Sequence, residues 1–420
     1  MDERYRSRKI RCISAIGAGV LLAGVGPVHA DTSSLSGGID NRYSDNSRRV
    51  ADNAESDLET RVDLNYQYLS DPGRCTSSVD MGLGYGYWHQ DTFDSEIYTN
   101  GSLAGQCELT ESLVWQASDR ISQVTQDTRQ AATRDNQTRK NVFRTGPVYT
   151  MRLTQVDQLQ FTAAYENTEF EEPEEPDSNR VTASAAYNHS FSDTLQGGLS
   201  ANAERTELDT EEELDRESVS ATFSQTWATT RVSGSLGVNQ LETRLGSRKS
   251  SSDGLTGTFN LVREINPSSE FTLNANRRLT DQTSSLGIEL DDFNFNLTET
   301  AAVEVTALRA GYNTRFSDGA SFTAQLSASR SDFIETDNRE EQTGIDLRYS
   351  RPVTVLLSWF TDAGYERRTF EEDDSEDDLF GLSLGLDYQL TAEMGISSAI
   401  GHQKKTSDIA AREYDENWVR

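Results

Sequence analysis

The sequence predicts an all-β fold: a transmembrane antiparallel up-and-down β-barrel of about 18 to 20 strands, with long extracellular loops and short periplasmic turns. Three observations predict it. Apolar and polar residues alternate in segment after segment, short turns recur at a near-constant interval, and a longer polar stretch follows each hairpin. Over 420 residues the hydrophobic fraction is 35%, charged residues make up 26% and the mean hydropathy is −0.66, which excludes a polytopic helical membrane protein.

At the N-terminus, Arg4, Arg6, Arg8, Lys9 and Arg11 precede an apolar run over residues 13–28, and Val28-His29-Ala30 offers a small-residue cleavage site. A secretory signal peptide over residues 1–30 is the expectation. Residues 31–420 then form the barrel, with residues 31–50 expected as a short periplasmic segment carrying a weak first strand around residues 37–43. Removing the leader's five basic and two acidic residues leaves 34 basic against 67 acidic, a net −33, which speaks against nucleic acid as a partner. Cys12 lies ahead of the apolar run and not at the cleavage point, so a lipid-anchored cysteine is not indicated. The mature chain keeps Cys75 and Cys107, which an oxidising compartment is expected to join in one disulfide.

The strands follow in order. Val62, Leu64, Tyr66 and Tyr68 share one face, with Asp63, Asn65 and Gln67 on the other. Val79, Met81, Leu83, Tyr85 and Tyr87 alternate with Asp80, Gly82, Gly84 and Gly86, and Leu159, Phe161, Ala163 and Tyr165 continue the pattern. It returns at Val181, Ala183, Ala185 and Tyr187, at Leu195, Leu199 and Ala201, at Val219, Ala221 and Phe223, and at Val232, Leu236 and Val238. Later members are Leu255, Phe259 and Leu261; Phe271, Leu273 and Ala275; Phe322, Ala324 and Leu326; Ile345, Leu347 and Tyr349; and Leu382, Leu384, Leu386, Tyr388 and Leu390. Residues 112–152 and 292–316 are the least regular, because Arg144 and Arg309 interrupt their alternation.

Short turns are expected near residues 73, 111, 155, 193, 229, 267, 318, 353 and 392, carried by turn chemistry such as Asp71-Pro72-Gly73, Phe191-Ser192-Asp193, Asn266-Pro267 and Phe316-Ser317-Asp318. Longer polar loops are expected at 169–178, 206–215, 244–253, 281–303, 334–341 and 371–378, between strands of about ten residues. Nine turns give eighteen strands, and flanking strands near residues 37–43 and 412–420 make twenty, which would place both termini on the periplasmic side.

The bilayer supplies the reason for closure. Backbone N–H and C=O groups in hydrocarbon must pair, and only a closed sheet leaves no unpaired edge. Register follows from cost, since slipping residues 343–350 by one would turn Asp346 and Arg348 into lipid, at roughly 2–4 kcal/mol for a midplane Arg. Aromatic residues suggest two interfacial girdles: Phe191, Trp227, Phe316, Tyr349 and Tyr388 before short turns, and Trp88, Phe170, Phe333 and Phe370 beside long loops.

Few motifs carry chemistry. Gly381-Leu382-Ser383-Leu384-Gly385 matches the nucleophile-elbow pattern, with Asp387 and His402 downstream, but the apolar alternation runs straight through it and a lumen-facing serine is the better reading. His89, His189 and His402 lack ligand-like spacing, so neither a metal site nor a cofactor is expected, and Gly82, Gly84 and Gly86 precede no helix that could make a phosphate loop. The acidic runs at 171–177 and 371–378 lack the spacing of a calcium loop and read as a solvated, mutually repelling rim. Cys75 follows the first short turn and Cys107 precedes the next, which puts both at the periplasmic end of adjacent strands.

Three short signatures, Tyr43-Ser44-Asp45-Asn46, Arg278-Leu279-Thr280-Asp281 and Tyr414-Asp415-Glu416-Asn417, together with the repeats over nearly all of the mature chain, resemble the β-barrel porins of exopolysaccharide secretion systems, including those of PEP-CTERM gene clusters. The resemblance implies an outer-membrane conduit for a polysaccharide, a periplasmic polysaccharide export protein as partner, insertion by the barrel assembly machinery, and an exterior in contact with lipid and lipopolysaccharide. Barrels of this kind generally finish in an aromatic residue. This chain stops at Arg420 with Trp418 two positions before, which suggests a truncated final strand.

Candidate lumen-lining residues are Asn65, Gln67, Asn188, Asn202, Asn239, Asn260, Asn274, Asn276 and Gln325, with Arg278, Asp346, Arg348 and Asp387 among few charges. Neutral hydrogen-bonding side chains suit sugar hydroxyls, whereas an anion pore would show rings of Arg and Lys. About twenty strands leave room for an aqueous lumen, and the residues before Ala51 are too few for a folded plug. The expected function is exopolysaccharide export, with a general diffusion porin as the alternative and an esterase built on Ser383 third.

Overall fold

The computed structural model describes residues 32–173, 175–281, 283–284, 302–334, 336 and 338–420, and the expected signal peptide lies outside them. Among the described residues the chain forms twenty strands. The first ten are β1 (Thr32–Ser44), β2 (Asp57–Leu69), β3 (Cys75–Trp88), β4 (Glu96–Thr110), β5 (Leu113–Thr125), β6 (Gln137–Arg152), β7 (Asp157–Phe170), β8 (Ser178–Ser190), β9 (Leu195–Leu208) and β10 (Glu212–Thr226). The second ten are β11 (Thr230–Leu245), β12 (Arg248–Asn266), β13 (Ser269–Asp281), β14 (Ala302–Arg315), β15 (Ser321–Phe333), β16 (Asn338–Pro352), β17 (Leu357–Phe370), β18 (Ser375–Gln389), β19 (Gly395–Ser407) and β20 (Tyr414–Val419). Each pairs antiparallel with the next, and β20 also meets β1 at Tyr43↔Val419 and Ser44↔Trp418, which closes the barrel.

Every expected short turn is present, and several cap themselves. Thr154, Thr354 and Thr391 each accept the backbone N–H three residues on, at 3.0, 3.0 and 3.1 Å, while Asn266 Oδ1 accepts the N–H of Ser268 at 2.9 Å. The turn thereby satisfies its own amides, leaving the flanking strands free to pair to their ends.

Strand length departs from expectation. Nineteen of the strands run 13 to 19 residues, not about ten. A 13-residue strand is roughly 43 Å long and, tilted by about 40°, stands roughly 33 Å tall against an apolar band of about 25 Å. The excess projects beyond the band and consumes the expected loops. Residues 206–215 and 244–253 are strand with tight turns, held by cross-strand pairs such as Arg205–Asp215 at 2.7 Å and Lys249–Glu242 at 2.7 Å.

The first strand begins at Thr32 beside Leu69, at the short-turn end, and finishes at Ser44 beside Asp57. Residues 45–50 therefore belong to the connection at the end opposite the short turns, and not to a segment that precedes the first strand. On the exterior the expected apolar set is bare: Val62, Leu236 and Leu384 are 52%, 68% and 52% exposed, and no other part of the described chain covers them. A continuous exposed apolar belt around a closed sheet has hydrocarbon as its only stable surroundings, so the barrel spans a membrane.

Candidate functional site: the lumen and its covered mouth

Contacts across the barrel identify the inner face. Arg180 on β8 bonds Asp281 at the end of β13, five strands away, and Thr168 on β7 reaches the carbonyl of Thr283. Alternation from these residues carries Asn65, Gln67, Asn188, Asn202, Asn239, Asn260, Asn274, Asn276, Arg278, Gln325, Asp346, Arg348 and Asp387 onto the same side, opposite the apolar belt.

The inner wall has two characters. Across β8 to β13, between the mouth and a turn-end set of Arg231, Glu264 and Glu270, it carries Ser, Thr, Asn, Gln, Gly and Ala with Val262, including Ser184, Asn188, Asn202, Asn260 and Asn274, and neighbouring hydroxyls bond one another, as in Ser200–Ser220 at 3.0 Å and Ser235–Thr258 at 2.9 Å. From β16 round to β3 the wall is charged but paired. Arg348 contacts Asp362 at 3.2 Å and lies over the Phe360 ring, Asp387 accepts Ser397 at 2.8 Å, Arg61 meets Asp63 at 3.0 Å, and Gln67 donates to Asp80 at 3.1 Å. Gly86 makes room on this side, since a Cβ there would fall 2.6 Å from the ring of Tyr98.

Above this wall the mouth is filled. Strand β13 pairs with β12 only as far as Gly257↔Arg277; beyond that it parts from β12 and, still paired with β14, whose own ladder to β15 runs on to Val303↔Phe333, curls into the lumen. One face of the tucked hairpin, Leu279 and Ala302, packs on Leu208, Leu214 and Leu241 of β9 to β11. The other, Val303 and Val305, packs on Phe170 and Phe333. Polar contacts pin it. Arg180 Nη2 donates to both oxygens of Asp281 at 2.8 Å, Arg216 Nη1 donates to the Leu279 carbonyl at 2.9 Å, Ser178 bonds Thr283 at 2.9 Å, and Lys140 Nζ reaches the Ser284 carbonyl at 2.5 Å. Glu166 and Glu204 complete the charge set around Arg180, at 3.4 and 3.7 Å. In its best-fitting orientation, the Asn239 amide accepts the N–H of Leu279 at 3.1 Å.

Two connections add to the cover. Residues 126–136, between β5 and β6, cross to the opposite wall, where Thr128 donates to Glu340 at 3.0 Å, Arg368 donates to the Thr128 carbonyl at 3.0 Å, Lys405 reaches the Arg129 carbonyl at 2.7 Å, and Arg129 pairs with Glu372. The connection 45–56 joins them through Arg49, which pairs with buried Glu416 at 2.9 Å and reaches the Ala132 carbonyl. Burial alone would raise the Asp127 carboxyl, but the backbone N–H and guanidinium of Arg129 and the Gln130 amide hold it below the ordinary aspartate value.

Several expectations change here. Trp88, Phe170, Phe333 and Phe370 form no interfacial girdle. They lie on the inner face and are 3–9% exposed, with Trp88 edge-on to Phe93 and Arg412 over Phe370, because their parity matches the polar set. Outward aromatics at that end include Tyr43, Tyr85, Tyr87, Tyr165, Tyr365 and Phe380. At the turn end Phe191, Trp227, Phe316 and Tyr388 are exposed, and Tyr349 stacks near Trp359.

The acidic run 371–378 is ion-paired rather than mutually repelling. Antiparallel register sets Arg367 opposite Asp378, and they pair at 2.8 Å; Lys405 of β19 pairs with Asp377 at 2.8 Å, and Arg412 holds Asp373. Glu171 pairs with Arg139. The elbow-like motif does not assemble. Ser383 faces inward and donates to Asp362 at 3.2 Å, whereas His402 sits opposite Leu382 on the outer face. Cys75 and Cys107 are directly opposite on β3 and β4 and form a disulfide near the short-turn end.

The mouth network of Arg180, Asp281, Glu166, Glu204 and Arg216 was outside the expected lumen set. Its one legible signal is that Leu208, Leu214 and Leu241 break an otherwise polar inner parity.

No protein-family model and no curated protein matches the sequence. Among solved structures the chain is similar to the copper transporter OprC, at 10% identity over 92% of this chain and 80% of that chain with a TM-score of 0.46. It is similar to the FrpB iron transporter from Neisseria meningitidis (F3-3 variant), at 8% over 91% and 80% with 0.45. OpdK of Pseudomonas aeruginosa, solved with vanillate, follows at 11% over 93% and 96% with 0.40. Likenesses this distant carry no argument about cargo, and the barrel stands on its own strand pairing.

Proposed function

We propose that the protein is an outer-membrane channel of a Gram-negative bacterium that conducts an exopolysaccharide and is shut at its outer mouth in the state described. The observation that carries this reading is the uncharged Ser, Thr and Asn wall across β8 to β13 beneath the tucked hairpin. Side chains of this kind exchange hydrogen bonds with sugar hydroxyls one for one, at little net cost per step, so a chain of sugars can slide without a deep energy well. A covered mouth favours a conduit that opens for its cargo over a permanently open diffusion porin. On this reading the short-turn end meets a periplasmic polysaccharide export protein, the belt contacts lipid and lipopolysaccharide, and the barrel assembly machinery inserts the chain.

Deleting the gene tests the proposal. Loss of extracellular polymer with unchanged small-solute permeability is the expected result. Unchanged polymer with reduced solute uptake would overturn it in favour of a diffusion porin.

A further inference from the structure

A recess of about 370 Å³ indents the inner wall across β3 to β7 and the end of β2, at the edge of the uncharged face. Its floor is flat and apolar because Ala104, Gly146 and Ala164 carry little or no side chain. Gly146 is required there, since a Cβ would lie 1.9 Å from the Ala163 carbonyl oxygen. Gly146 and Pro147 also drop out of the β6–β7 ladder, which resumes at Val148↔Thr162. Around the floor stand Gln106, Gln116 and Thr162, all hydrogen-bonding and all uncharged.

One charge enters the recess, that of Arg144. Its guanidinium is 46% exposed and meets Glu166 through a single nitrogen at 3.4 Å. Glu166 is shared with Arg180, which Asp281 already holds at 2.8 Å, so most of the five N–H donors of Arg144 remain available to a ligand. Arg120, exposed and one step along the same face of β5, adds a second positive charge in a chain whose net charge is −30. An apolar floor, a ring of amide and hydroxyl groups and one planar guanidinium match a pyranose ring that bears a carboxylate.

We propose that this recess is a subsite for an acidic sugar unit of the hexuronate kind, with Arg144 as the residue that selects its carboxylate. The inference rests on the conduit reading and names its cargo class. The uncharged wall of β8 to β13 carries the chain, and the recess beside it registers one acidic unit at a time.

The test uses the full mature chain refolded in detergent, with trigalacturonate and maltotriose as probes in titration calorimetry. Trigalacturonate is expected to bind at least tenfold more tightly than maltotriose. Arg144→Gln is expected to abolish that preference while leaving maltotriose binding unchanged, and Arg120→Gln to reduce it in part. Ala104→Leu, which fills the recess, is expected to weaken both sugars. Equal binding of the two sugars, or a preference that survives Arg144→Gln, would overturn the subsite. Polymer export in the deletion assay without sugar preference would sink the subsite alone. Sugar preference without any polymer phenotype would sink the conduit and keep the subsite as a binding site.

Discussion

The two ends of the barrel solve opposite problems with the same strands. Toward the turns, side chains face lipid on one side and an open lumen on the other, and the strands gain stability from backbone pairing and from burial in the membrane. At the mouth, the same strands carry a packed interior with buried leucines, phenylalanines and a closed charge set around Arg180. In this wide barrel the clustered hydrophobic core lies where the β13–β14 end curls in from the wall.

The mouth is where a single change is expected to do most. Arg180→Met removes the cation that Asp281, Glu166 and Glu204 share, leaving their carboxylates buried with less compensation, a loss of about 3–5 kcal/mol when a buried pair is broken from one side. Single-channel conductance in planar bilayers is expected to rise as the hairpin is released. Unchanged conductance would show that the hairpin does not block the pore. Joining Ser178→Cys to Thr283→Cys, whose hydroxyls are 2.9 Å apart, is expected to hold the channel shut until reductant is added, relative to wild type under the same reductant.

Next in size is the contrast between the two faces of one strand. Leu236→Arg puts a charge into the lipid belt, at roughly 2–4 kcal/mol near the midplane, while its neighbour Ser235→Arg faces the lumen and forfeits one hydrogen bond to Thr258, at about 0.5–1.5 kcal/mol. Urea unfolding in lipid vesicles measures both. Equal costs would place the strand in the wrong register.

The smallest effect is in the connection 126–136. Because the folded Asp127 carboxyl titrates below the ordinary aspartate value of 3.8, its contribution is present above that value and is lost as pH falls through the lower folded value. Proteolysis within 126–136 is expected to accelerate below about pH 3.8 and to be flat above it. In Asp127→Asn this acid step is expected to disappear.

Period-two alternation made the belt, the nine turns and the inner parity legible, because lipid penalises every slipped register. Its one warning of the tucked hairpin was Leu208, Leu214 and Leu241 on an inner parity that is otherwise mainly polar. Leu279 continues the outward parity of Phe271, Leu273 and Ala275, and only its neighbours in space, Leu208 and Leu214, show that its half of β13 has turned inward. Trp88 and Phe370 misled for a related reason, since an aromatic beside a loop satisfies the girdle rule whichever face it occupies. Loop lengths misled because Glu207 and Glu213 look like loop residues in sequence, yet face each other across a regular ladder. Charge composition alone does not separate a solvated loop from a strand that has climbed out of the membrane.

The bridge between Cys75 and Cys107 reaches further than the roughly 3–4 kcal/mol that closing its 32-residue separation would contribute. The two sulfurs meet only when residue 75 stands level with residue 107, so a chain oxidised ahead of insertion arrives with one hairpin already aligned. Every later strand can then be laid down against a template whose offset is covalently fixed.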